Sequence, residues 1–156
     1  MDISQITDYL FVGAEPCQDD IREILAQNVR LVISMMGERR PHRAFGELPL
    51  GSLWLPSFDT FFTPISITNL DKGVESAQKV IQSGASVLVH CQQGRHRSVI
   101  MAAAILIANG HSAEQAMTLL SARRQIADPR AWYVRRQIHR FEKNWHAKTH
   151  SRMRNV

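Results

Sequence analysis

Only two cysteines, Cys17 and Cys91, occur in the 156 residues. That count excludes a multi-disulfide scaffold and a four-cysteine zinc site, and it suits a reducing cytoplasm. Long apolar runs are missing as well. The most apolar stretch, Val99 to Ala108, is about half of the roughly 20 residues needed to cross a bilayer, so a buried helix accounts for it and no membrane span is expected. The opening, MDISQITDY, carries an acid at its second position and lacks the apolar core of a signal peptide; export is not expected. No repeat, low-complexity tract or linker interrupts the chain. Acidic residues are scarce towards the end, where residues 123 to 154 hold ten Lys and Arg against Asp128 and Glu142. Such a cluster meets phosphorylated proteins or other anionic surfaces, or it is simply a solvated helix face with a basic tail. It carries no sign of specific nucleic-acid recognition.

What is present is ordinary globular material: 44% hydrophobic and 21% charged residues, enough in a chain of this length for one core without staples. We read one domain over residues 1–147 and a basic, frayed tail over 148–156. Apolar, β-branched runs predict strands at Tyr9–Val12, Arg30–Ser34, Ser52–Leu55 and Ser86–His90. A helix is expected over Asp19–Gln27, and another after Pro64, where Leu70, Val74, Ala77 and Ile81 recur at helical spacing. Strands alternating with helices point to a three-layer α/β fold with a central, mostly parallel sheet. An enclosed helix runs from Ser98 to Ala108 and stops at Asn109-Gly110. Ser112 and Gln115 form a capping box for the next. Asp128-Pro129 is read as the start of the last, with Val134, Ile138, Phe141 and Trp145 as its inner stripe.

Residues 86 to 98 read SVLVHCQQGRHRS: an apolar strand ending in His90-Cys91, a short loop with Gly94, then Arg97-Ser98 at the head of the enclosed helix. Backbone N–H groups of such a loop, converging at a helix N-terminus, favour a phosphate dianion without a metal or cofactor. Gly94 supplies freedom for the tight curl. Arg97 adds an always-charged fork. The same field favours the thiolate of Cys91. His90 is placed to hold the strand end by hydrogen bonding, and Ser98 to offer its hydroxyl to the sulfur.

The string HCQQGRHRS resembles the Cys-x5-Arg-Ser signature of the protein tyrosine phosphatase superfamily. The flanks resemble its small dual-specificity branch: ITDYLFVGAE near the start, VRLVISM as a core strand and QIHRFE in the last helix. The resemblance covers about residues 3 to 142 and departs from the branch at Gln93, Ile100 and Arg130-Ala131. It implies a phosphatase working through a cysteinyl-phosphate, with Cys91 as nucleophile. Arg97 and the backbone of Gln92, Gln93, Gly94, Arg95 and His96 would hold the phosphate, and Ser98 would ease sulfur departure. It also implies a general-acid Asp on a loop some thirty residues before the cysteine. In SLWLPSFDTFF that residue is Asp59; Glu47 lies too early, and Asp71 falls inside a helix.

The plainer readings differ in strength. A lone Cys after an apolar strand is usually a small buried hydrophobe, but Gly94 and Arg97 at phosphate-loop positions speak against that for Cys91. Cys17 reads as a structural or surface thiol. His146 and His150 have metal-ligand spacing on a helix without an acidic or cysteine partner, and read as tail residues. For the substrate, the resemblance implies phosphotyrosine and phosphoserine or phosphothreonine of proteins. The alternative is a phosphoinositide or inositol polyphosphate, because Gly94-Arg95-His96-Arg97 resembles the loop of an inositol-pyrophosphate-cleaving branch. An inactive phosphate-binding module is a third reading.

Overall fold

The computed structural model describes residues 1–156. Its strands are β1 (Ile3–Thr7), β2 (Leu10–Gly13), β3 (Val29–Met36), β4 (Gly51–Ser57) and β5 (Ser86–His90). They form one sheet in the order β1-β2-β5-β3-β4. Every neighbouring pair is parallel except β1 with β2. The helices are α1 (Ile21–Ala26), α2 (Ile67–Gln82), α3 (Arg97–Ala108), α4 (Ala113–Arg123) and α5 (Trp132–Arg154).

Alternation along the strands sorts side chains into two cores. Val87 and Val89 of β5, with Leu10 and Val12 of β2 and Leu31 and Ile33 of β3, enter the larger core shared with α2 to α5. Leu88, Phe11 and Val32 face the other way, against Ile24 of α1 and Phe45. The three layers expected from the sequence follow from this two-faced burial. β5 lies at the centre of the sheet, buried along its whole length. Its carboxyl end is therefore the natural ligand crevice, and α3 starts there.

α3 is buried from Arg97 to Ile107. It ends where the sequence indicates, at Asn109, with Gly110 in the left-handed region at φ 105° and its N–H on the Ile107 carbonyl. α2 packs closely on it: a Cβ at Gly73 would lie 2.4 Å from the Met101 sulfur. The Ser112–Gln115 capping box is formed at the head of α4.

Several boundaries differ from the expectation. β1 is an additional strand; only Ile6 in it is buried, so its apolar pattern is too thin to read. The first helix is a 3-10 turn at Gln18–Asp20 followed by the six residues of α1. Asp128-Pro129 does not open α5, which begins at Trp132 after Ala131. The Asp128 N–H donates instead to the Arg95 carbonyl at 3.1 Å, and its carboxylate lies 3.5 Å from the Arg95 guanidinium. Asp128 is thereby tied to the phosphate loop and not to the helix. The end of the chain is not frayed from Lys148: α5 continues to Arg154, with Lys148 paired to Asp71 of α2 and the Thr149 hydroxyl donating to the Trp145 carbonyl. From His146 onwards every residue is exposed. No helix is long and apolar enough to cross a membrane.

Candidate active site

Between β5 and α3, residues 92 to 96 curl around the Cys91 sulfur with all five of their carbonyls turned outward and engaged. Gln92 accepts from the Glu15 N–H at 3.4 Å, Arg95 from the Asp128 N–H at 3.1 Å and His96 from the Ile100 N–H at 2.9 Å. Gln93 and Gly94 both accept from Arg124, at 2.8 Å each, through Nη2 and Nε. With the oxygens held outside, the amides are left inside, and those of Gly94, Arg95 and Ser98 act to lower the Cys91 pKa. Gly94 has φ 67°, and a Cβ there would meet the Gly13 backbone of β2 at 2.6 Å. Only glycine fits both that conformation and that approach.

Cys91 is 3% exposed. Burial pushes its thiol up, yet the Ser98 hydroxyl, 3.3 Å from Sγ, and the three amides outweigh it, so the pKa lies below the ordinary cysteine value. Arg97, also 3% exposed, is anchored through Nη1 to the Glu38 carboxylate at 2.8 Å and to the Ser57 carbonyl at 2.9 Å. Its Nε has no partner within the protein. A guanidinium pinned on one nitrogen with a neighbouring donor open is suited to an oxyanion. Within His90 the buried Nδ1 has no partner. Burial lowers the His90 pKa to about 4, so it stays neutral.

A cavity of about 310 Å³ opens over Cys91 and Arg97, with Phe58, Asp59 and Thr60 also in its lining. A second cavity of about 330 Å³, between α2 and α5, has no cysteine in its lining. Asp59 therefore meets the phosphate loop in space as well as in spacing. Its Oδ2 lies 2.9 Å from His96 Nδ1, and its Oδ1 accepts from the Tyr133 hydroxyl at 3.2 Å. Glu47 and Asp71 do not line this cavity.

Glu38, Arg124 and Tyr133 were not singled out from the sequence. Arg124 is 2% exposed and bidentate to the Asp2 carboxylate as well as to the loop, yet in the sequence it is one of many arginines near the end. Glu38 and Tyr133 arrive from distant turns, and nothing local marks them. The side chains of Arg95 and His96 have internal partners in Asp128, Asp59 and Tyr133. His146 and His150 are exposed, and no group of three or more His, Cys, Asp or Glu is placed to hold a metal ion.

Residues 10–144 match the family model described as dual specificity phosphatase, catalytic domain. The chain belongs to this family. Mouse dual specificity phosphatase 28 is 23% identical over 145 residues, covering 92% of this phosphatase and 86% of that protein. Human phosphatidylglycerophosphatase and protein-tyrosine phosphatase 1 is 35% identical over 105 residues, 63% of this phosphatase but only 52% of the relative's length. The crystal structure of PTPMT1 in complex with PI(5)P superimposes with a TM-score of 0.83 at 28% identity, over 94% of this phosphatase and 98% of that chain.

Proposed function

We propose that this phosphatase hydrolyses phosphate monoesters of proteins through a cysteinyl-phosphate. In the first step the Cys91 thiolate attacks phosphorus in line, the P–O bond breaks, and the Asp59 carboxyl gives its proton to the leaving oxygen. The equatorial oxygens sit among the loop amides and Arg97 Nε. In the second step Asp59, now ionised, takes a proton from water as it attacks phosphorus, and the sulfur leaves with the Ser98 hydroxyl donating to it. Glu38 is a poorer acid for this role. Its hydrogen bond with Arg97 holds its carboxyl below the usual range and hence ionised.

The observation that carries the reading is the outward anchoring of five successive loop carbonyls around a buried, acidified thiol. A thiolate nucleophile and an exposed, unpaired Cys17 both suit a reducing cytoplasm. Phosphotyrosine and phosphoserine or phosphothreonine are favoured over inositol polyphosphates because the loop side chains of Arg95 and His96 already have carboxylate partners. A phosphoinositide monophosphate is the second reading, and the likeness to PTPMT1 in complex with PI(5)P favours it.

Turnover of phosphopeptides, a phosphoinositide monophosphate and an inositol polyphosphate by the same preparation separates the readings. Phosphopeptides should be hydrolysed fastest and the polyphosphate slowest; a faster phosphoinositide would reverse the choice. Cys91→Ser should abolish turnover while retaining binding of a phosphate mimic, and appreciable residual turnover would sink the covalent route.

A further inference from the structure

The loop that carries Asp59 is bound at both ends by one face of α5. At its start, the Tyr133 hydroxyl meets Asp59 Oδ1 at 3.2 Å and His96 Nδ1 at 3.0 Å. At its end, the buried Gln137 accepts the Ile65 N–H at 2.8 Å, and Arg140 donates to the Ile65 carbonyl at 2.5 Å. Tyr133, Gln137 and Arg140 stand at i, i+4 and i+7 on the helix and so present one face. Between the two ends, Phe61 packs its ring 5.6 Å from that of Trp132, and Thr60 Oγ1 accepts the N–H groups of Phe62 and Thr63. Gln137 also donates to the Tyr133 carbonyl at 3.2 Å, linking the two anchor points.

We infer that Tyr133 is a positioning residue for Asp59, and that α5 pre-sets the acid loop instead of leaving it to close on each substrate. The inference rests on the reading of Asp59 as the general acid. Proton accounting supports a division of labour between the two carboxyl oxygens. Tyrosine has one hydroxyl proton and gives it to Oδ1, so Oδ1 is an acceptor in both steps. Oδ2 is then the oxygen that carries the proton to the leaving group and later receives one from water. His96 Nδ1 lies 2.9 Å from Oδ2 and so helps to hold the same carboxyl in place. Burial and the Asp59 charge push the Tyr133 phenol up to about 12, so it remains a donor over the working range. A carboxyl held in its plane by a fixed donor loses less freedom in reaching the transition state.

The test is a double-mutant cycle read over aryl phosphates whose leaving groups run from a nitrophenol to phenol itself. Tyr133→Phe keeps the ring and its packing but removes the donor. Its kcat/KM should fall about tenfold on phenyl phosphate and clearly less on the nitrophenyl ester, the loss expected for a hydrogen bond to a charged group. In the Asp59→Asn background the same change should cost almost nothing more, because Tyr133 acts through Asp59. Equal losses across leaving groups, or losses that add in the double variant, would mean that Tyr133 merely supports the fold, and the inference falls. A steep dependence for Asp59→Asn with a flat one for Tyr133→Phe removes the positioning role and leaves the general acid standing. A flat dependence for Asp59→Asn overturns the general-acid reading, and this inference with it.

Discussion

His90 precedes the nucleophile and is held neutral by burial, its pKa lowered from 6.5 to about 4. In the unfolded chain the same imidazole takes a proton below about pH 6.5. Between those values the unfolded state binds more protons, so this contribution is intact above pH 6.5 and is lost as pH falls towards 4, by about 3 kcal/mol at the limit. Thermal unfolding followed from pH 7 to pH 4 should show the decline, and His90→Asn should flatten it. An unchanged slope in that variant would show that other groups set the acid limit. At this scale the sequence was legible where residues are contiguous. Cys91, Arg97 and Ser98 sit in one string whose chemistry depends on local chain geometry. Asp59 needed a family resemblance to be noticed. Glu38 and Tyr133 act only because the fold brings their turns to the loop.

Among the elements, the link between α4 and the phosphate loop deserves equal weight with the strand before it. Arg124 follows α4 directly and ties the carbonyls of Gln93 and Gly94 to Asp2 beside β1. It is a buried cation whose five donors fit backbone oxygens that no local partner could reach. Arg124→Met should leave those two carbonyls unpaired and cost about 3 kcal/mol, a drop of roughly 10 °C in Tm for a chain of this size. Affinity for a phosphate mimic should fall with it, since the loop amides lose their fixed direction. Unfolding by heat and titration with vanadate check the two together, and stability lost without affinity would separate scaffold from site. The elements with strong periodicity, β5, α2 and α3, were readable from their apolar spacing. β1 was not, being an edge strand with one buried side chain, and the start of α5 was misplaced because Asp128 serves the loop instead of a helix cap.

Over the whole molecule, charge and core are distributed differently. The core ends with Phe141 and the partly buried Trp145, whereas the basic residues continue along an exposed helix to Arg154. Periodicity locates the first and fails for the second, because an exposed helix has no buried face to mark its end. The Lys148–Asp71 pair is the tail's charged tie to α2, and its side chains are partly exposed. Such pairs contribute about 0 to 1 kcal/mol. We therefore treat residues 148–156 as dispensable for catalysis despite their helical form, and a chain ending at Ala147 should retain its kcat on a small aryl phosphate within about twofold. Removing Lys148, Arg152 and Arg154 also removes three cations from the most basic part of the surface. Against an acidic phosphopeptide the shortened chain should show a lower kcat/KM at low salt, and the difference should vanish near 1 M salt, where the screening length is about 3 Å. A difference that survives high salt would mean a direct contact with the peptide, and a large loss on the small substrate would place the end of α5 within the catalytic unit.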